Sequence, residues 1–277
     1  MKFSICSYSF HRLLESGKQD MFRYITDSRA LGASHLEPWN AHLAVIAEGD
    51  ARIRAAGDPT KAALTGEEIA YLNRVKAAAD AEGLPFGCLA VDGAHIYEDT
   101  PDKRAMNRAL RFRWLDVAAR LGAAQMRIDA GGPEHMPDAA FEIIVEGYRE
   151  IVARARERGV EVVIENHWGP SRFPLNAIKI LDAVEGLGLL FDTNNWAEGW
   201  QEKGWEMCAR HARATHIKTF RFDKAGDDPT VDLAKAIHIL RAAGYDGIWG
   251  IESCPVEVDE YEGVRRTAAL IERVLSA

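Results

Sequence analysis

The sequence predicts an α/β chain folded as one (β/α)8 TIM barrel of parallel strands across residues 1–277, on three observations. Eight short apolar or β-branched runs recur along almost the full length, and a helical stretch separates each from the next. No G-x-G-x-x-G follows the first run, where a doubly wound sheet would need its phosphate turn. Regular alternation implies parallel strands with right-handed crossovers, and eight units in 277 residues suit a closed barrel.

The predicted strands, in chain order, cover residues 2–7, 34–37, 85–91, 125–129, 161–165, 188–192, 214–218 and 247–252. The clearest helix signal runs over 67–82, where Thr65-Gly-Glu-Glu68 matches a capping box. Another spans about 139–158, with Phe141, Ile144, Val145, Tyr148, Ile151 and Val152 on one apolar face. Gly32, Gly83, Gly122, Gly159, Gly186 and Gly244 each follow a helical stretch just before a strand, where a left-handed C-cap is wanted. The stretch 40–64 has no clean helical period and is expected to be irregular, carrying a loop over the site.

Composition excludes several classes. Thirty-four Lys and Arg against 42 Asp and Glu give a net charge of −8, so no general basic surface exists to displace the counterions of a nucleic acid. Cys6, Cys88, Cys208 and Cys254 are scattered with no C-x-x-C pair, which reads as idle thiols in a reducing cytoplasm. The N-terminal residues lack the apolar core of a signal peptide, and no run of about 18 apolar residues offers a membrane span. A cytoplasmic protein with neither nucleic-acid nor membrane partner is expected.

A parallel barrel carries its chemistry at the C-terminal strand ends. The fifth strand ends VVIE165-NHW, the sixth LLFD192-TNNW, the seventh reads ATH216-IK and the eighth WGIE252-S. Four successive strands thus bring Glu, Asp, His and Glu to one rim. Three bare carboxylates there would repel one another and be driven to protonate, a penalty that one divalent cation removes. The donor set suits Mn²⁺ best, with Mg²⁺ and Co²⁺ also matched and Zn²⁺ admitted at an open site.

The segments IENHWG, FDTNNW, THIKTF and GIE resemble the motifs of the xylose-isomerase-like TIM-barrel superfamily, in particular its sugar phosphate isomerase/epimerase group. The resemblance spans essentially the whole chain. It implies a single Mn²⁺-type ion on Glu165, Asp192, His216 and Glu252, the two glutamates doubling as acid–base groups. It implies a divalent-metal-dependent isomerase or epimerase acting on a sugar, sugar phosphate or keto-sugar by proton abstraction next to a carbonyl, through an enediolate. Ketose 3-epimerases of the group carry a His where this chain has Asn195, and an Arg where it has Phe222 beside Arg221. Both departures argue against a free-ketose epimerase. They keep in view a lyase or dehydratase acting on a keto-sugar, keto-inositol or 3-keto-glycoside, with a non-catalytic carbohydrate-binding barrel as the alternative of a different class. The related apurinic endonucleases require further His and Asp ligands that this chain lacks.

Alternation along a strand aims residues i and i+2 the same way, placing His167 with Glu165 and Lys218 with His216. His167 is a candidate proton carrier, and Lys218 a candidate group for an oxyanion or carbonyl. Trp39, Trp168 and Trp196 follow strand ends and suit the apolar face of a small carbohydrate-like substrate. Asn195, Glu37 and His95 complete the candidate substrate contacts, with Glu37 able instead to bond a Lys or His. Gly131-Gly132 offers backbone N–H groups to a phosphate. A homo-oligomer is compatible with this fold, since such barrels commonly pair through their rims.

Overall fold

A computed structural model describes residues 1–277. Eight strands form one sheet: β1 (Phe3–Cys6), β2 (His35–Glu37), β3 (Cys88–Val91), β4 (Gln125–Ile128), β5 (Glu161–Glu165), β6 (Gly188–Asp192), β7 (Ala212–Thr219) and β8 (Trp249–Ser253). They are hydrogen-bonded in the order β2-β1-β8-β7-β6-β5-β4-β3, and every pairing is parallel. Single parallel bridges, Leu36 to Phe86 and Trp39 to Ala90, link the two remaining edges and all but close the barrel. The (β/α)8 fold predicted from the alternation is therefore the one observed.

The helices are α1 (His11–Glu15), α2 (Met21–Ala30), α3 (Ala44–Ala56), α4 (Gly66–Ala81), α5 (Pro101–Leu121), α6 (Asp138–Arg156), α7 (Pro174–Ala183), α8 (Gln201–Cys208), α9 (Leu233–Ala242) and α10 (Glu260–Ser276). The capping box opens α4: Thr65 Oγ1 accepts from the Glu68 N–H, and the Glu68 carboxylate accepts from the Thr65 N–H. Gly122 ends α5 with φ at 71°, a conformation that costs a Cβ-bearing residue energy. The other five predicted cap glycines share the positive φ. No helix is long and apolar enough to cross a membrane.

The stretch 40–64 corrects the expectation of an irregular segment. It holds α3 between two single turns of 3-10 helix, Asn40–His42 and Pro59–Lys61. Its buried stripe is only Ile46, Gly49 and Ile53, too sparse and too interrupted by glycine to stand out in the sequence. Gly49 is where Arg113 and Glu68 press against the helix, leaving no room for a side chain.

A continuous core of 64 buried residues includes Ile5, Leu36, Trp114 and Tyr148. A separate cluster of Cys88, Val163, Leu190 and Ala214 is drawn from four strands. Val163, Leu190 and Ala214 stand two residues before Glu165, Asp192 and His216, so each apolar residue shares its strand face with the polar one above it. The arrangement gives the polar rim an apolar floor.

Candidate metal centre

Glu165, Asp192, His216 and Glu252 are all buried, and each offers a ligand atom within 4.8 Å of the others. His216 Nδ1 lies 3.3 Å from Glu165 Oε1, 3.1 Å from Glu252 Oε2 and 3.9 Å from Asp192 Oδ2. Asp192 Oδ1 accepts the backbone N–H groups of Asn194 and Asn195, at 2.6 and 2.9 Å. Its Oδ2 is buried and accepts no hydrogen bond. A buried oxygen without a donor is costly, and its two nearest cationic nitrogens stand 3.8 Å (Lys218) and 3.9 Å (His216) away. An orphaned carboxylate oxygen among two further carboxylates and an imidazole nitrogen fits a divalent cation.

The surrounding charges act in the same sense. Burial pushes the Asp192 carboxyl up to about 7, with Lys218 pulling against it and Glu252 and Glu165 adding to it. Burial alone would also raise Glu165, but His167, Arg127 and His216 outweigh it and hold that carboxyl far below its usual range. Glu252 is likewise held low against burial, chiefly by Lys218 and His216. Burial opposes the imidazolium of His216, yet Glu37 and the other acids lift its pKa well above the usual value. The pocket thus draws positive charge, and a bound dication would displace the Nδ1 proton.

Glu37 stands behind this imidazole. Its Oε1 is 2.7 Å from His216 Nε2, while its Oε2 accepts from Ser4 Oγ at 2.6 Å. Sequence reasoning left it open whether Glu37 serves a ligand or a His or Lys; the structure gives it to His216, away from the open cavity.

That cavity, about 580 Å³, is lined by Glu165, His216, Glu252, Lys218, His167, Trp39 and Trp168, all singled out from sequence. Lys218 Nζ reaches Glu252 Oε1 at 3.0 Å and Asn195 Oδ1 at 3.3 Å. Asn195 Nδ2 in turn donates to Glu165 Oε1 at 3.1 Å, so the amide ties one glutamate to the lysine held by the other. His167 Nδ1 is 3.5 Å from Asp129 Oδ2 and 3.8 Å from Glu165 Oε2. Burial works against its charge, but Glu165 and Asp129 prevail and raise its pKa.

The lining also holds Cys6, Tyr8, Ala90, Asp92 and Arg127, none anticipated. Arg127 Nη1 meets Asp92 Oδ1 at 2.6 Å and Asp129 Oδ2 at 2.8 Å, and its Nε meets Glu165 Oε2 at 3.1 Å. Arg127 is a charged residue set between Met126 and Ile128 inside β4, two before Asp129. That break in pattern was the available signal. Asp92, Asp129 and His167 also converge as a second acidic group, but the Arg127 guanidinium already bridges its two carboxylates.

Several expected contacts lie outside this cavity, Asn195 and Glu37 among them. Trp196 is buried at 4% exposure against Phe191, outside this cavity. The His95 side chain does not line it either; its backbone carbonyl accepts from Arg111 and Asn107. Gly131 and Gly132 lie outside this cavity and pack closely against His95, Tyr97 and the Gly169 backbone. Arg221 pairs with Glu257, and neither it nor Phe222 lines the cavity.

A family model described as xylose isomerase-like TIM barrel matches residues 23–274. The chain belongs to this family. No curated protein matches it in sequence. Among solved structures, this xylose isomerase-like barrel is similar to D-psicose 3-epimerase with D-tagatose from Clostridium cellulolyticum H10, at 14% identity and a TM-score of 0.73, covering 99% of both chains. It is similar to 3-keto-D-glucoside 4-epimerase from E. coli at 16% identity and TM-score 0.69, covering 92% of this chain and 95% of that one. A xylose isomerase-like TIM barrel protein from Mycobacterium smegmatis in complex with magnesium matches at 18% identity and TM-score 0.68, covering 99% and 96%. At these identities the likeness speaks for the fold.

Proposed function

We propose that this barrel is a divalent-metal-dependent enzyme that moves a proton next to the carbonyl of a small sugar-like substrate, as an isomerase or epimerase. The observation that carries the reading is the convergence of Glu165, Asp192, His216 and Glu252 around a buried, partnerless Asp192 oxygen. When bound there, a divalent ion supplies Lewis-acid polarisation of the substrate oxygens, and Mn²⁺ is the first choice for this donor set. Glu252, kept ionised by Lys218, takes the carbon-bound proton as base. Lys218 lies beside that base and steadies negative charge as it develops on substrate oxygen. His167, 3.8 Å from the ionised Glu165, returns a proton to the enediolate. Trp39 and Trp168 wall the cavity and favour the apolar face of a sugar ring.

One observation favours a second reading, a lyase. The carboxylates of Asp129 and Glu165 favour the charged form of the His167 imidazole at the cavity wall, which suits it to protonate a departing β-hydroxyl or alkoxide. Keto-sugars, keto-inositols and 3-keto-glycosides are the substrates on which that would show.

The experiment is turnover of a keto-sugar panel by Mn²⁺-loaded protein in deuterium oxide. Deuterium at the carbon next to the carbonyl supports the isomerase or epimerase, and an unsaturated product supports the lyase. Glu252→Gln should lower turnover by about 10²–10⁴; a near-normal rate overturns the assignment. Binding of keto-sugars by metal-loaded protein with neither exchange nor product would leave a non-catalytic carbohydrate-binding barrel.

A further inference from the structure

Next to the cavity over the candidate metal centre lies a second, more open one of about 720 Å³, sharing His167 and Trp168 with it. Trp168 is 55% exposed, which is unusual for the largest apolar side chain. Its backbone is nonetheless tightly held. The Trp168 carbonyl accepts from the buried Ser171 Oγ at 3.0 Å, and the next residue, Gly169, is wedged against the Gly131 and Gly132 backbone. The exposed indole presents an aromatic face on a held backbone at the boundary of the two cavities. The far side is formed by Asn194, Asn195, Trp196 and the ion pair of Arg172 with Glu134, at 2.8 Å. The indole N–H of the buried Trp196 has no acceptor. Aromatic faces beside side-chain amides are the chemistry that recognises a sugar ring.

Charge narrows the ligand further. Every Lys and Arg lining the two cavities is engaged by carboxylate: Arg127 by Asp92, Asp129 and Glu165, Lys218 by Glu252, and Arg172 by Glu134. A phosphate dianion would find no Lys, Arg or shared His free of a carboxylate, His167 lying 3.5 Å from Asp129, and would sit beside those acids.

Resting on the proton-transfer reading above, we propose that the substrate is an uncharged glycoside of two rings. The keto-bearing ring sits over the carboxylate–imidazole cluster, and its glycosidic partner lies in the second cavity against Trp168.

The test is calorimetric binding to Mn²⁺-loaded protein of D-fructose, D-fructose 6-phosphate and three keto-disaccharides: isomaltulose, turanose and lactulose. The expected result is at least one keto-disaccharide binding about tenfold tighter than D-fructose, with the 6-phosphate no tighter than D-fructose. Trp168→Ala should bring that ratio close to one, and Trp168→Tyr should restore most of it. The proposal is overturned if no disaccharide gains over D-fructose, if the phosphate binds best, or if Trp168→Ala leaves the ratio intact. Deuterium exchange is read separately on the same samples. Disaccharide preference without exchange would sink the proton-transfer reading and leave the two-ring site standing, while exchange without preference would do the reverse.

Discussion

Glu37 Oε1 lies 2.7 Å from His216 Nε2, a contact between residues 179 positions apart. It commits Nε2 to donating and turns Nδ1 toward Glu165, Asp192 and Glu252. Glu37 is itself set by Ser4 Oγ, and its backbone N–H is anchored by Tyr24 Oη. Glu37→Ala should therefore weaken Mn²⁺ binding by about 10- to 100-fold without touching the proposed ligand set. Metal titration followed by calorimetry checks this. Affinity within twofold of the wild type would mean that the imidazole is oriented by something else.

Asp192 yields a prediction of opposite sign. Its Oδ2 is buried and accepts no hydrogen bond, and burial with the nearby acids outweighs Lys218 and His216, so in chelator its charge is a net cost to the fold. Asp192→Asn keeps the Oδ1 acceptor for the Asn194 and Asn195 N–H groups and removes one charge. In EDTA the variant should melt above the wild type. Added Mn²⁺ at about 100 times its Kd should stabilise the wild type by about 2.7 kcal/mol and the variant far less. Thermal melts with and without metal decide it; a variant melting below the wild type in EDTA would contradict the buried-charge argument.

These residues differ in how openly the sequence announces them. Glu165, Asp192, His216 and Glu252 end apolar strands, and strand ends on one barrel rim must converge, so the cluster could be read without coordinates. Arg127 on β4 and Asp92, just past the end of β3, belong to none of the four strands that carry the cluster, and no local motif ties them to it. The role of Glu37 needed the cross-barrel packing that joins β2 to β7, which no local pattern encodes. Trp168 and Trp196 both follow strand ends, yet one is exposed and the other folds back on Phe191 and leaves no room at Gly204. Helix α3 hid behind a stripe of three small-to-medium buried residues, one of them glycine.

His42, inside that misread stretch, supplies a pH signature distinct from the metal centre. It is 1% exposed, and its hydrogen bonds define a neutral ring. Gln19 Oε1 accepts from His42 Nε2–H at 3.2 Å, and in the neutral ring Nδ1 accepts from Ser7 Oγ at 3.0 Å, whose oxygen also accepts from the Trp39 N–H. The Gln19 amide is oriented by donating its other end to Asp27. Burial drives the His42 pKa down to about 4, from 6.5 in the unfolded chain. Between those values the unfolded chain takes a proton that the native protein refuses, so stability is full above pH 6.5 and is lost as pH falls toward 4. The gap corresponds to about 3 kcal/mol. Urea unfolding at pH 7 and pH 4 should show the wild type losing about that much more than His42→Gln. Equal losses in the two proteins would mean that His42 is protonated inside the fold, with Ser7 reversed to accept from it.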